Sequence, residues 1–485
     1  MDKKLSYAFP PPLMRAAEMF HKHGTTLYAV GGVVRDALLG LRVNDIDVAS
    51  AMRPDDVCRL CDSSGLTVIP KGLRYGTVEM VLPCGNGTNL HIEHTTFRRD
   101  IYGDGGAHRP EYVKFSDELS DDALRRDFTV NALYADILTG EIIDPTGGLD
   151  DIKLRTIRTA NAPAVTLRDD GLRIMRFARF CAQLGFTPES STYECAKEYS
   201  HLLGDISKER IFDEALKVLL CDVRYCGEDA IERDKTGFSV KVQRGLTLLK
   251  EINALKYVFP GLEDCAGIAQ NPKYHAFDVL DHSIRTAAFT PPVPQMRLAG
   301  LLHDIAKPIC VKRNGSMHTH ELIGADISRE ILTQLRCPND LRDSVCRLIA
   351  LHMYDINNTA KDSTLRRRFA SWGESTVRQL IELRRADVHG SGRNYGDVDS
   401  ADRWERMLCA MKSEGAPLSY DELKCTGTDI AEWLSMPPSP EIGRIKRMLL
   451  EHCAVFPADN TKERLKKTAY DCAMQKAAVQ SDGPV

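Results

Sequence analysis

The stretch that most constrains this chain is residues 28–50, YAVGGVVRDALLGLRVNDIDVAS, where an apolar run meets a glycine pair, an arginine and two aspartates. Leu27 to Val30 reads as a short strand, Gly31-Gly32 as a turn, and Val33 to Leu39 as a helix that stops at Gly40. Glycines at such a turn let backbone N–H groups approach a phosphate chain, and Arg35 offers a fork of donors to phosphate oxygens. A plain tight turn is the competing reading. In Asp45-Ile46-Asp47-Val48, residues two apart on a strand share a face, which predicts both carboxylates on one side and Ile46 and Val48 in the core. Two adjacent acids resist ionising together unless a cation neutralises them, and oxygen donors at this density suit Mg²⁺ holding substrate phosphates. Solvated acids at a strand end are the alternative for this motif alone; the glycines and arginine upstream favour the metal.

With 485 residues, 43% hydrophobic and 27% charged, the chain has room for about three domains of ordinary globular composition. A formal net charge of −4 argues against a wholesale polyanion binder, so any nucleic-acid contact must come from local basic faces. No apolar run reaches the roughly 20 residues that span a bilayer, and MDKKLSYAFPPPL lacks a signal-peptide core, so no membrane association and a cytoplasmic location are expected. The 15 cysteines follow no framework of regular spacings, which fits reduced buried thiols. The one CxxC, Cys58 and Cys61, lies in an expected helix without zinc-site partners and reads as structural.

Leu73 to Leu82 and Leu90 to Phe97 read as a hairpin around the turn CGNGTN, with Glu93 placed to serve as a third carboxylate beside the aspartates. A surface glutamate is the equal alternative. Arg98 to Tyr112, rich in glycine and charge, is expected to be a mobile loop able to order over a substrate. Leu167 to Phe186 reads as one helix with an arginine stripe, Arg173, Arg176 and Arg179. Asp170 and Arg173 would lie on one face, where together they match the hydrogen-bonding edge of a base; an intrahelical ion pair is the competing reading.

These motifs, Gly31-Gly32-Val33-Val34-Arg35-Asp36, Asp45-Ile46-Asp47, Arg125-Arg126-Asp127-Phe128-Thr129-Val130-Asn131-Ala132 and Asp170-Gly171-Leu172-Arg173, occur in the order and spacing of one family. Over roughly Tyr28 to Leu220 the chain resembles the class II tRNA nucleotidyltransferases, the CCA-adding enzymes, and the related bacterial poly(A) polymerases. The resemblance implies an α+β fold: a small mixed-sheet nucleotidyltransferase head (residues 1–158), then an all-helical neck (159–226), HD body (227–395) and tail (396–485). It also implies roles. Asp45 and Asp47 match the catalytic, Mg²⁺-binding carboxylates, Gly32 and Arg35 the triphosphate site, and Arg126 and Asp127 the ribose and phosphate contacts. Asp170 and Arg173 match a protein-side template for cytosine or adenine, with Arg176 and Arg179 as further nucleotide-binding arginines. Where the family usually has a glutamate before this template, the chain has Asp169.

Further on, His282 and the His303-Asp304 pair in LLHDIAKP, with Asp387 in LRRADVHG, resemble the ligand quartet of the HD phosphohydrolases, which bind divalent metal on a helical bundle. His320 and His352 fall in the same region and read either as completing a two-metal site or as satisfied core histidines. Basic runs at Gly443 to Arg447 and Lys462 to Lys467 read either as a solvated face or as contacts to tRNA phosphates. The expected activity is addition or repair of the 3′-terminal CCA of tRNA from CTP and ATP, with an HD hydrolase beside it. Other readings stay open: a poly(A) polymerase, which shares the head motifs, and a protein of another class, either a non-catalytic tRNA-binding protein or an HD phosphohydrolase only.

Overall fold

The computed structural model describes residues 4–103, 110–223, 237–394 and 396–481. These form two compact units, residues 1–263 with 331–337, and residues 264–330 with 338–485.

The first unit opens with α1 (Pro11–Lys22), a helix begun by proline, whose Leu13, Ala16, Ala17 and Phe20 recur at helical spacing and are buried. There follow β1 (Tyr28–Val30), α2 (Gly32–Leu38), β2 (Asp47–Ser50), α3 (Pro54–Ser63), β3 (Thr67–Gly72), β4 (Thr77–Pro83), β5 (Asn89–Thr96), β6 (Arg98–Ile101) and β7 (Tyr112–Phe115). Then come α4 (Leu119–Leu124), β8 (Tyr134–Asp136), β9 (Ile142–Ile143) and α5 (Gly148–Leu154). Seven strands make one sheet in the order β3-β4-β5-β2-β1-β8-β9. It is mixed, as expected: β2 and β5 run parallel while β1 pairs antiparallel with both β2 and β8. Its core gathers Val30, Ala49, Phe97, Ala132 and Tyr134.

The expected β4–β5 hairpin is present, registered from Thr77↔Thr95 to Pro83↔Asn89, so that the Asn-Gly segment forms its turn. Three local expectations change. Strand β2 begins at Asp47, so Asp45 lies in the segment before it; Val48 is buried but Ile46 only half so. Residues 98–115 are not a plain loop, because β6 and β7 pair antiparallel; the tip, residues 104–109, lies outside the described residues. The expected single helix over Leu167 to Phe186 is two, α6 (Pro163–Asp169) and α7 (Leu172–Leu184), broken at Asp170, whose φ of −143° and ψ of 102° are extended. Gly171 allows this corner to pack tightly, since a Cβ there would meet Leu202 at 3.0 Å.

The second unit is helical throughout its described residues. The helix Val279–Phe289 packs against Pro294–Leu302 and Glu374–Gly390. Close approach is possible because Gly300 and Gly390 abut Ala287 and Thr286. The basic residues near the end of the chain have intramolecular partners, Arg444 with Glu441 and Lys462 with Asp429. The described cysteines, Cys58 and Cys61 on α3 included, are free thiols.

Candidate active site and metal centre

The glycine turn is built as a bend that disfavours a side chain. Gly31 has φ +78°, and a Cβ on it would lie 3.4 Å from Arg126 Nη1. Below it, Arg35 is not an exposed fork. The guanidinium is 2% exposed, pairs with Asp36 Oδ1 at 2.6 Å, donates to Asn131 Oδ1 and lies 5.1 Å from the Phe180 ring. Arg126 is more accessible: its Nε and Nη2 bond to Tyr134 and Asp122, and its Nη1 faces the turn. Asp122 and Tyr134 were not singled out from the sequence, yet they orient this arginine. Burial opposes the Asp122 charge, but Arg125 and Arg126 outweigh it and hold the carboxyl down at about 2.

The acids gather at one cavity of about 330 Å³, lined among others by Asp45, Asp47, Glu93, Glu79, Lys71 and His91. Asp47 stands opposite Glu93 in the parallel β2–β5 register, and Glu79 opposite Glu93 across β4–β5, so three strands deliver carboxylates to one face. Glu79 was missed although it interrupts an apolar strand run, which is the signal that marks it. It is 7% exposed and paired with Lys71 and His91.

Asp127 lies inside a network rather than open to ligand. It accepts from the Phe128 N–H at 2.8 Å, Asn131 Nδ2 at 3.0 Å and Arg176 Nε at 2.8 Å. Burial would raise its pKa, but Arg176 and Asn131 hold it at about 2. Asp170 and Arg173 do not pair with each other among the contacts described. Asp170 takes Arg210 Nη2 at 2.8 Å, while Arg173 donates to the carbonyls of Thr166 and Arg125 at 3.2 and 2.7 Å. Arg210 is a partner that sequence reasoning missed, since no local spacing links it to a residue 40 positions away. Tyr102, just past the end of β6, has its phenol pushed up to about 12 by burial, within the field of Arg173, Asp100, Asp170 and Asp169. Arg179 is 4% exposed and paired with Glu214 at 2.9 Å.

In the second unit the six residues named from sequence converge. His282 Nε2 lies 3.2 Å from His303 Nε2 and 3.1 Å from Asp387 Oδ1. His303 Nε2 is 3.2 Å from Asp304 Oδ2, and His320 Nε2 is 3.1 Å from Asp304 Oδ1 and 3.3 Å from His352 Nε2. His303, His320 and His352 each direct Nδ1 at a backbone oxygen, of Gly300, Met317 and Ile349, at 2.9, 2.7 and 2.7 Å. A carbonyl only accepts, so Nδ1 carries the proton and each Nε2 lone pair points inward, the arrangement of metal-ligating histidines. Two ligand groups, His282–His303–Asp387 and His303–Asp304–His352, have all their donor atoms within 4.8 Å of one another. Imidazoles with carboxylates suit a divalent transition metal. Without a cation a proton must serve. Burial opposes it, but Asp304 and Asp387 push His303 up to about 10, while burial and His303 push His352 down to about 3. Lys307, three residues past Asp304, closes one side by pairing with Asp304 Oδ2 and with Gln270 Oε1 at 2.8 Å.

Three family models match this chain: the poly A polymerase head domain over residues 27–158, the "Probable RNA and SrmB- binding site of polymerase A" over residues 185–225, and the HD domain over residues 279–389. Residues 27–158 are thus similar to a polymerase-type nucleotidyltransferase head, and residues 279–389 to an HD domain. The fold as a whole is similar to that of solved CCA-adding enzymes. The CCA-adding enzyme of Bacillus stearothermophilus, solved in complex with CTP, matches with a TM-score of 0.68 at 25% identity, over 97% of this chain and 100% of that one. The CCA-adding enzyme of Lactococcus lactis subsp. cremoris (strain MG1363) is 38% identical over 250 residues, 51% of this chain and 55% of its own. That of Bacillus pumilus is 40% identical over 227 residues, 47% of this chain and 52% of its own. The chain therefore spans about half the length of the curated relatives it matches. No helix among the described residues is long and apolar enough to cross a membrane.

Proposed function

We propose that this chain adds or repairs the 3′-terminal CCA of tRNA from CTP and ATP, through the four-part organisation of head, neck, HD body and tail. The observation that carries this reading is the meeting of Asp45, Asp47 and Glu93 at one cavity of a sheet whose neighbouring bend is a glycine pair flanked by arginines. Relatives named CCA-adding enzymes, one solved with CTP, direct the choice of substrate.

In the reaction the 3′-hydroxyl oxygen of the RNA bonds to the α-phosphorus of the nucleotide, the bond to the bridging oxygen breaks, and pyrophosphate leaves. Asp45 and Asp47, with Glu93 beside them, would hold Mg²⁺, which when bound neutralises phosphate charge and favours the ionised hydroxyl. The Gly31-Gly32 backbone and Arg126 face the triphosphate, and Arg35 fixes the bend from beneath. Asp127 holds Arg176 and Asn131 in place for the ribose and phosphates. Asp170 and Arg173 read the base after exchanging Arg210 and the two carbonyls for its edge. Positioning and preorganised charge supply most of the rate. In the second unit His282, His303, Asp304 and Asp387, joined by His320 and His352, would hold divalent metal for phosphoester hydrolysis, for example of 2′,3′-cyclic phosphate at damaged RNA ends.

The test offers labelled CTP and ATP with tRNA lacking CCA, tRNA ending in CC, and an unrelated RNA. Wild type is expected to incorporate C and stop after one A. Asp45→Ala and Asp47→Ala are expected to lose incorporation and keep RNA binding. Long A tails on the unrelated RNA would replace this reading with a poly(A) polymerase, and undiminished incorporation by both variants would remove the site.

A further inference from the structure

One member of the histidine cage breaks the pattern of the others. Three of the four direct Nδ1 at a backbone oxygen; His282 does not. Its Nδ1 is buried with no hydrogen-bond partner among the described residues, on a side chain that is fully buried. Beside it His275 presents the same anomaly, a buried Nδ1 without a partner, and the two rings meet edge to face with centroids 4.8 Å apart at 86°. Two unsatisfied imidazole nitrogens in adjoining rings form a complementary pair, because one neutral ring offers an N–H where the other offers a lone pair.

We infer that His275 is the positioning residue of His282: it accepts the Nδ1 proton of His282, through one bridging water, when the Nε2 of His282 is committed to a divalent cation. The charge state explains the direction of donation. A metal on Nε2 leaves the ring proton on Nδ1, and that N–H, at a fully buried site, needs an acceptor. His275 is suited to accept because a neutral imidazole keeps one ring nitrogen as a lone-pair acceptor, and its Nδ1 is buried beside the His282 ring. The segment that carries it is anchored on the cage's own elements. The His275 N–H bonds to Asn271 O at 3.0 Å, the Ala276 N–H to Ser391 O at 2.8 Å just beyond the Asp387 helix, and Gln270 receives Lys307. The inner loop preceding Val279–Phe289 thereby supplies what a backbone carbonyl supplies for the other three histidines. It rests on the metal reading of the HD residues.

The experiment measures binding of Mn²⁺ alone to the full-length chain by titration calorimetry, for wild type, His275→Ala and His275→Gln, with circular dichroism melts to confirm folding. Loss of such a supporting bond weakens metal affinity by about 10–100-fold. His275→Ala is expected to fall in that range and His275→Gln, whose amide oxygen accepts, to recover part of it. Equal affinity in wild type and His275→Ala, or an equal loss in both variants, would overturn the inference while leaving the metal site standing. Failure of wild type to bind Mn²⁺ would overturn the metal reading and this inference together.

Discussion

At the residue scale, buried ionisable groups decide how the first unit responds to acid, and they do so with a shared sign from different causes. His94 is fully buried, with Nε2 2.8 Å from Ser50 Oγ, and burial pushes its pKa down to about 3. Below the ordinary value of 6.5 the unfolded chain takes up a proton that the folded ring refuses. Stability therefore falls as pH drops from 6.5 toward 3, by up to about 1.4 kcal/mol per pH unit. Asp127, held at about 2 against an ordinary 3.8, contributes stability that is present above about pH 4 and lost as pH falls through about 2. Urea midpoints at pH 7 and pH 4.5 should separate the two: His94→Gln is expected to flatten the loss over this interval, and Asp127→Asn to leave its slope unchanged. The roles of single residues were only partly legible in the chain. Arg35 and Arg179 carry the motif spacing of ligand contacts, yet each is buried against a carboxylate, Asp36 and Glu214. Whether an arginine faces solvent or core depends on partners that packing supplies, which periodicity cannot register.

At the scale of elements, the bend between β1 and α2 carries the proposed triphosphate contact. Gly31 occupies the left-handed half of φ space, and a Cβ added there would meet Arg126 Nη1. Gly31→Ala is expected to destabilise the fold by about 1–2 kcal/mol and to raise KM for CTP and ATP more than it lowers thermal stability alone would explain. Steady-state incorporation beside a denaturation curve measures both. This strand, bend and helix were readable because glycines, apolar spacing and the stop at Gly40 all agree. The corner at Asp170 was not, although its glycine was in view. The apolar spacing continues through it, and only the packing of Gly171 against Leu202 makes the break. For β6 and β7, charge and glycine content pointed to a loop, whereas cross-strand pairing of Arg98–Ile101 with Tyr112–Phe115 makes a hairpin.

At the scale of the whole molecule, the two compact units carry separate candidate ligand sets, one of carboxylates at the sheet and one of imidazoles and carboxylates in the helical unit. Their chemistry should be separable. His303→Ala with Asp304→Ala is expected to abolish phosphodiesterase activity on 2′,3′-cyclic phosphate and to leave nucleotide incorporation within about twofold, since neither residue lies in the first unit. Undiminished phosphodiesterase activity would remove the hydrolase reading. The helical unit has a further property. His282 and His303 are separated by 21 residues and His320 and His352 by 32, so the cage exists only once several distant helices have docked. Donors that must travel so far gain nothing from a cation until the chain has closed those loops. A divalent ion would thus act as a late staple, recognising the correctly assembled bundle and slowing its opening rather than hastening its formation.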